Sequence, residues 1–194
     1  MADKNKYQTT LNLPDGSFPM RARLPKQEPA RLDAWQSRDI YRRIRAAREN
    51  AAPFTLHDGP PYANGKIHTG TAMNKILKDF VVKFKTMQGY DAPFIPGWDC
   101  HGLPIEHALF KELDTTKDAV DQVDFRRRAR AYAERYIDIQ RGQFIRLGVL
   151  GDWYDPYITM DYRYEADIIR AFGALYQKGY IYKGLKPIHW SIPC

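Results

Sequence analysis

The sequence predicts an α/β fold built on a parallel sheet, and three observations carry that prediction. Short apolar runs bounded by turn residues alternate with longer stretches of helical periodicity. Two turns rich in glycine and proline, around 57–71 and 97–104, each follow a strand candidate, where an open parallel sheet presents its ligand loops. At 194 residues, 44% hydrophobic and 27% charged, the chain has material for one good core in one to two domains.

The elements follow in order. Residues 1–10 are polar, and Leu11 to Lys26 is rich in proline and glycine, as expected of an extended arm. Glu28 to Arg48 reads as one or two helices anchored by Leu32, Trp35, Ile40 and Ile44, ended by Pro53. FTL at 54–56 is a short buried-strand candidate. Beyond the turn, Met73, Ile76, Leu77, Phe80, Val81 and Phe84 recur at helical spacing, with Lys75, Lys78, Lys83 and Lys85 between them and Gly89 as the stop. APFIPGWDCHGLPIE reads as a second strand and a tight turn. Helices follow from about Phe125 to Leu147 and from Tyr162 to Lys178, the latter closed by Gly179; YIYKGLKPIHW then has strand character. The expected division is an arm with helices over 1–50 and the α/β part over 51–194. A chain ending at SIPC, just past a strand-like run, is expected to be the front of something longer.

Composition narrows the classes. No apolar run approaches the ~18 residues needed to span a bilayer, and the first residues lack the apolar core of a secretory signal. Cys100 and Cys194 are too few for a disulfide framework, which points to the reducing cytosol. The formal charge of +7 is compatible with an anionic partner such as nucleotide or RNA, and equally with a basic soluble surface.

The turn HDGPPYANGKIHTGT, 57–71, carries the first chemistry. Gly59 and Gly65 allow positive φ and bring backbone close to a ligand, and Pro60 and Pro61 stiffen the turn. Free N–H groups at the following helix start suit a phosphate. His68 adds a donor, and Gly70 leaves room for a flat base or ribose. A capped helix with a surface histidine is the competing reading.

GWDCHGLPIE, 97–106, is the second constellation. Two strand-end loops converging in one crevice make a stronger case than either alone. Asp99 suits an ammonium group and Trp98 the wall of an apolar pocket; a helix cap and a buried small hydrophobe are the structural alternatives for Asp99 and Cys100. Adjacent Cys100 and His101 would point to opposite faces of a strand, and nothing nearby completes a thiol or zinc site. Between Phe125 and Arg146, arginines 126, 127, 128, 130, 135, 141 and 146 interleave with Tyr132, Tyr136 and Phe144. That helix reads either as an RNA-facing surface or as a solvated basic face over an aromatic core.

HDGPPYANGKIHTGTAMNKILKD, PGWDCHGLPIE and LGVLGDWYDPYITMD together closely resemble the N-terminal catalytic region of the isoleucyl-tRNA synthetases, within class I of the aminoacyl-tRNA synthetases. The similarity runs from YQTTLNLP at 7–14 to KGLKPIHW at 183–190. It implies the first half of a Rossmann-type catalytic domain, incomplete here, reaching at its end the entry to an inserted editing domain.

The same resemblance implies ATP-dependent activation of isoleucine, with Mg2+ accompanying the ATP, and transfer to tRNA(Ile) by a cytoplasmic enzyme that is a monomer at full length, with no membrane partner. Pro61, Tyr62, Ala63, Asn64, Gly65, Lys66, Ile67, His68, Thr69, Gly70 and Thr71 correspond to the signature segment. His68 and Thr71 would be catalytic, stabilising charge on the α-phosphate. His57, Asn64, His68, Gly70 and Thr71 would bind ATP; Pro60, Trp98 and Asp99 would bind isoleucine. Thr71 stands where the signature has its second histidine, and a threonine hydroxyl is shorter and uncharged. Ser191 replaces the first cysteine of a W-C-P-x-C entry, so no zinc site is expected within this chain. A small nucleotidyltransferase and a non-catalytic RNA-binding module are the alternative functions.

Overall fold

The structure of the protein, a computed structural model, describes Thr10 and residues 21–190. Most of the expected arm (11–20) and the segment from Ser191 to Cys194 lie outside the described residues. The chain forms two compact units, Met1–Asp39 and Ile40–Cys194.

In the first unit, α1 (Leu24–Ser37) begins within the stretch expected to be extended, because Pro25 falls in the first turn, where a missing N–H is harmless. None of its residues is buried, so Leu32 and Trp35 do not anchor it in a core.

The second unit starts with α2 (Ile40–Ala46). The Tyr41 hydroxyl donates to the Phe94 carbonyl (3.4 Å) and accepts from the Phe94 N–H (3.2 Å), and burial raises its pKa. An Arg45–Asp91 ion pair secures the same contact.

Three segments then run parallel. At one end Phe54 N–H donates to Asp91 O and Asp91 N–H to Ala52 O; at the other, Asp99 N–H donates to Pro61 O and Ala63 N–H to Asp99 O. On the opposite side β1 (Gly97–Trp98) pairs with β2 (Tyr157–Ile158), Gly97 opposite Tyr157 and Trp98 opposite Ile158. The sheet is therefore parallel as expected, but its regular strands are two residues long. Prolines 53, 60, 61, 93 and 96 remove ladder donors. For the same reason FTL forms no strand; only the isolated bridge Pro53–Asp91 flanks it.

The core gathers around Trp153, whose ring lies 5.6 Å from Phe144, 6.2 Å from Trp98 and 6.4 Å from Phe94. The principal support is α5 (Gln122–Arg146), capped by Asp121, which accepts from Val123 and Asp124 N–H groups and so satisfies orphan donors of the first turn. It buries Phe125, Tyr132, Ala133, Ile137, Gln140 and Phe144. A helix not foreseen from the sequence, α4 (Leu103–Leu113), follows Gly102 at φ 83° and lays Ile105 and Leu109 into the core.

Helix α3 (Thr69–Met87) turns its charged side inward: Lys75, Asp79 and Val82 are buried, while Met73, Leu77, Phe80 and Phe84 of the expected apolar stripe are more than half exposed. Buried charge demands partners. Lys75 and Lys78 both reach Asp58, and Asp79 accepts from Leu150 N–H and Lys83. Helix α6 (Tyr162–Gln177) has no buried residue, and Gly179 at φ 76° closes it. The expected strand over 180–190 is not formed: among the described residues this segment pairs with no strand, and it is almost wholly exposed.

Candidate functional site

The two glycine-rich loops meet through backbone. Asp99 exchanges two 2.9 Å hydrogen bonds with Pro61 and Ala63, so the acid of the second loop sits on the strand-like part of the first. A few residues further along, the first loop ends at His68 and α3 begins.

His68 is the N-cap of α3, in extended conformation, and its exposed ring folds back over the helix start. Its Nδ1 accepts from Gly70 N–H (3.1 Å) and Thr71 N–H (3.3 Å). Those amides are therefore not free for a phosphate, contrary to the expectation from sequence. An accepting Nδ1 places the ring proton on Nε2 in the neutral ring, which makes Nε2 the donor facing solvent. Gly70 suits this arrangement: a Cβ there would lie 3.0 Å from His68 Cε1 and press on the ring. The His68 ring lies against one side of the exposed Gly70. Gly59 and Gly65 do not adopt positive φ; in this region Gly102 does.

The rest of the signature segment is held from α5 and α4. Gln143 Oε1 accepts from Ile67 N–H (3.0 Å), and the Tyr132 hydroxyl donates to Asn64 O (3.0 Å). Burial pushes the Tyr132 phenol up to about 12, consistent with a donor that stays protonated. The Asn64 side-chain amide donates to Pro104 O (3.4 Å) and so ties the loop to the start of α4. Ala63 is fully buried, Pro60 and Pro61 half-buried, and Tyr62, Lys66 and Thr69 exposed; Thr71 is half-buried.

At the second loop, the half-buried Asp99 carboxylate accepts long bonds of 3.4 Å from His101 N–H and the Thr159 hydroxyl. Thr159 also accepts from Cys100 N–H at 2.9 Å, which orients the loop from the end of β2. Trp98, expected to wall a pocket, has no exposed surface, and its indole donates to Gln140. It lies beneath the loops with no surface open to solvent. Cys100 is buried and its thiol pKa is pushed up to about 11, chiefly by burial, so it carries no thiolate chemistry. His101 Nε2 faces Glu165 at 3.1 Å.

Beneath both loops lies a buried ion cluster. Asp58 accepts from Lys75, from Lys78 (2.7 Å) and from Gly97 N–H (3.0 Å), while the Tyr157 hydroxyl donates to its carbonyl. Burial drives the Lys75 ammonium down to about 8, against the raising effect of Asp58. Tyr157 stacks on His57 (5.7 Å) and on Tyr164 (6.0 Å), and its phenol is raised to about 12 by burial. Gly97 is obligatory here, since a Cβ would fall 2.0 Å from Tyr157 Cζ. Asp58, Lys75, Gln140, Tyr157 and Thr159 escaped sequence reading. Lysines among the apolar positions of a helix were the one visible hint.

No group of three His, Cys, Asp or Glu placed to hold a metal occurs among the described residues. Of the seven α5 arginines, 128, 135 and 141 pair with Asp124, Glu112 and Asp138, and Arg130 donates to Met160 O. Three of the seven are thus paired with an acid. A cavity of about 310 Å³ opens elsewhere, where the end of α4 approaches α5, beside Leu113, Val120 and Phe125.

The family model for class I tRNA synthetases (I, L, M and V) matches residues 30–194. The chain belongs to that family. This class I synthetase chain is 53% identical to the isoleucine–tRNA ligase of Methylococcus capsulatus over 188 residues, 97% of the chain and 20% of that relative. It is 55% identical to the isoleucine–tRNA ligase of Legionella pneumophila over 189 residues, and 54% to that of Desulfitobacterium hafniense over 188. The synthetase chain thus spans about a fifth of the length of the curated relatives it matches. Among solved structures, the Agrobacterium radiobacter LeuRS, in ternary complex with tRNA and LeuAMS, matches with a TM-score of 0.64 at 22% identity, over 84% of this chain and 19% of that one. That likeness shows the fold: part of a Rossmann-type class I catalytic domain. The small nucleotidyltransferase reading falls with the family match.

Proposed function

We propose that the chain is the front part of an isoleucine–tRNA ligase, which activates isoleucine with Mg-ATP and transfers it to tRNA(Ile) in the cytoplasm, as a monomer at full length. The observation that carries this reading is the backbone pairing of Asp99 with Pro61 and Ala63, which seats an acid beside the loop that ends at His68. Identities of 53–55% to isoleucine–tRNA ligases along 97% of the chain favour isoleucine as the amino acid.

In the first step an isoleucine carboxylate oxygen attacks the α-phosphorus of ATP, the bond to the bridging oxygen breaks, and pyrophosphate leaves. In the second a ribose hydroxyl of the tRNA attacks the acyl carbon, and AMP leaves. Asp99 anchors the ammonium of isoleucine, assisted by the Pro60 carbonyl. His68 Nε2–H donates to an α-phosphate oxygen where negative charge develops, and the Thr71 hydroxyl adds a neutral donor. His57, stacked on Tyr157, and Asn64 and Gly70 belong to the nucleotide side. Magnesium arrives with the nucleotide.

The test is ATP–pyrophosphate exchange by the complete product of the reading frame. Exchange that requires isoleucine supports the assignment; exchange driven by another amino acid and not by isoleucine refutes it. Asp99→Asn should weaken isoleucine more than ATP, and equal losses would contradict its role.

A further inference from the structure

We propose that Gln140 is a positioning residue that fixes the amino-acid corner of the site against the nucleotide corner. The inference deepens the function proposed above and rests on it. Gln140 lies on α5, away from both loops in sequence, and is 3% exposed. Its carboxamide is shared between the loops. Oε1 accepts from the Trp98 indole at 3.0 Å. Nε2 donates to Tyr62 O at 2.9 Å and to Gly65 O at 2.7 Å. Both amide hydrogens are thus used, one on each carbonyl, and the oxygen holds the residue next to Asp99.

Its neighbours on α5 do less. Tyr132 and Gln143 reach only the signature segment, at Asn64 and Ile67. Gln140 alone of the three also grips the second loop. The indole it holds is wholly buried, with the Arg141 guanidinium over the ring at 5.7 Å, so the ring has no freedom to swing. Ring and backbone of Trp98 in turn set the direction from which Asp99 presents its carboxylate.

Activation joins two ligands held by different loops, and its rate depends on the separation between them. A carboxylate displaced by about 1 Å from its line of attack loses on the order of 100-fold in rate. One amide bonded to both loops fixes that separation, because neither loop can move without breaking a buried hydrogen bond that leaves a carbonyl or an indole N–H unpaired.

The test uses the complete product of the reading frame, with Gln140→Met (same length, no donors), Trp98→Phe and the double variant. Rates of isoleucine-dependent exchange are normalised to active sites counted by the adenylate burst, which removes losses due to misfolded protein. Gln140→Met is expected to lower the rate per site about 10- to 100-fold, with KM for isoleucine and for ATP each within about threefold of the parent. Trp98→Phe should cause a smaller fall of the same kind, and the double variant should be no slower than Gln140→Met. Rates per site within about twofold of the parent, or effects that multiply in the double variant, overturn the inference. If Gln140→Met does not fold, Trp98→Phe decides: an unchanged rate per site overturns the inference, and a fall at constant KM supports it. A parent without isoleucine-dependent exchange refutes the proposed function, and the inference with it. An active parent with indifferent variants refutes the inference alone.

Discussion

Replacing Asp58 with asparagine keeps the shape of the buried cluster and removes its negative charge. The consequence is calculable because Lys75 has an alternative to staying charged. In the parent, burial lowers the Lys75 pKa from 10.5 to about 8. At about 1.4 kcal/mol per pKa unit, carrying the charged lysine in the core below pH 8 costs about 3 kcal/mol even beside Asp58. Without Asp58 the charged form costs more, but never more than releasing the proton, which at pH 7 costs about 5 kcal/mol. The Lys75 share of the loss at pH 7 is thus capped by the one unit between pH 7 and the parent pKa, at about 1 kcal/mol. Poorer acceptance from Lys78 and from Gly97 N–H adds about 1 kcal/mol.

The sign with pH follows from the direction of the shift. A lysine with a lowered folded pKa binds fewer protons folded than unfolded, so stability rises with pH, in the parent from about 8 towards 10.5. In Asp58→Asn the rise begins at lower pH, because Lys75 has already lost its proton. The loss is therefore expected to be about 2 kcal/mol at pH 7 and about 1 kcal/mol at pH 9. Urea unfolding of the chain, followed by the fluorescence of buried Trp98 and Trp153, measures both values. A loss that is equal at the two pH values, or larger at the higher one, refutes the reasoning.

Gly97→Ala places a methyl 2.0 Å from the Tyr157 ring, and a melting experiment should show a loss of about 2–4 kcal/mol; a variant as stable as the parent would mean the ring is not where it is described. Gly70→Ala presses on the His68 ring at 3.0 Å and should release the cap, at about 1 kcal/mol and with faster amide exchange at Thr71; unchanged exchange would contradict the capping geometry. In a Cys194→Ser background, Cys100 should resist a thiol reagent at pH 8 and react at once in denaturant, because burial holds its pKa near 11; rapid labelling of the native chain would refute this.

Local signals were legible where the chain decides its own conformation. Gly89 and Gly179 end helices at positive φ, and the long basic helix and the one after Gly151 begin and end within a few residues of the expected places. The strands were legible only as directions. FTL and 180–190 carry apolar residues in short runs, but strand identity depends on a partner with N–H groups to offer, and five prolines interrupt the two segments that could pair. The inward face of α3 was hidden for a similar reason. Periodicity ranks faces by hydrophobicity, and it assigns the core to Met73, Leu77, Phe80 and Phe84. Whether Lys75 is buried depends on Asp58, seventeen residues earlier in sequence, arriving at the same point.

The site divides along the same line. The residues proposed to carry chemistry at a loop, His68 and Asp99, could be named from residue type and neighbouring turns, although the competing reading also holds for His68, which caps α3. Residues that hold those loops could not. Gln140 and Gln143 look like ordinary polar positions of an arginine-rich helix, Tyr132 like one more aromatic along it, and Thr159 like the end of a short strand. Their role appears only once α5 lies against the signature segment, where an amide with two donors and one acceptor meets two carbonyls and an indole. The arginines drew attention to α5, but its buried polar residues were not the ones singled out. Four of them, 128, 130, 135 and 141, are engaged within the chain, and the helix earns its place through its buried polar face. If the proposed roles hold, loops that present Nε2 of His68 and the carboxylate of Asp99 are only as well placed as the helix behind them. It follows that substitutions on the inner face of α5 should affect the two corners together, while those on its arginine face should leave both where they are.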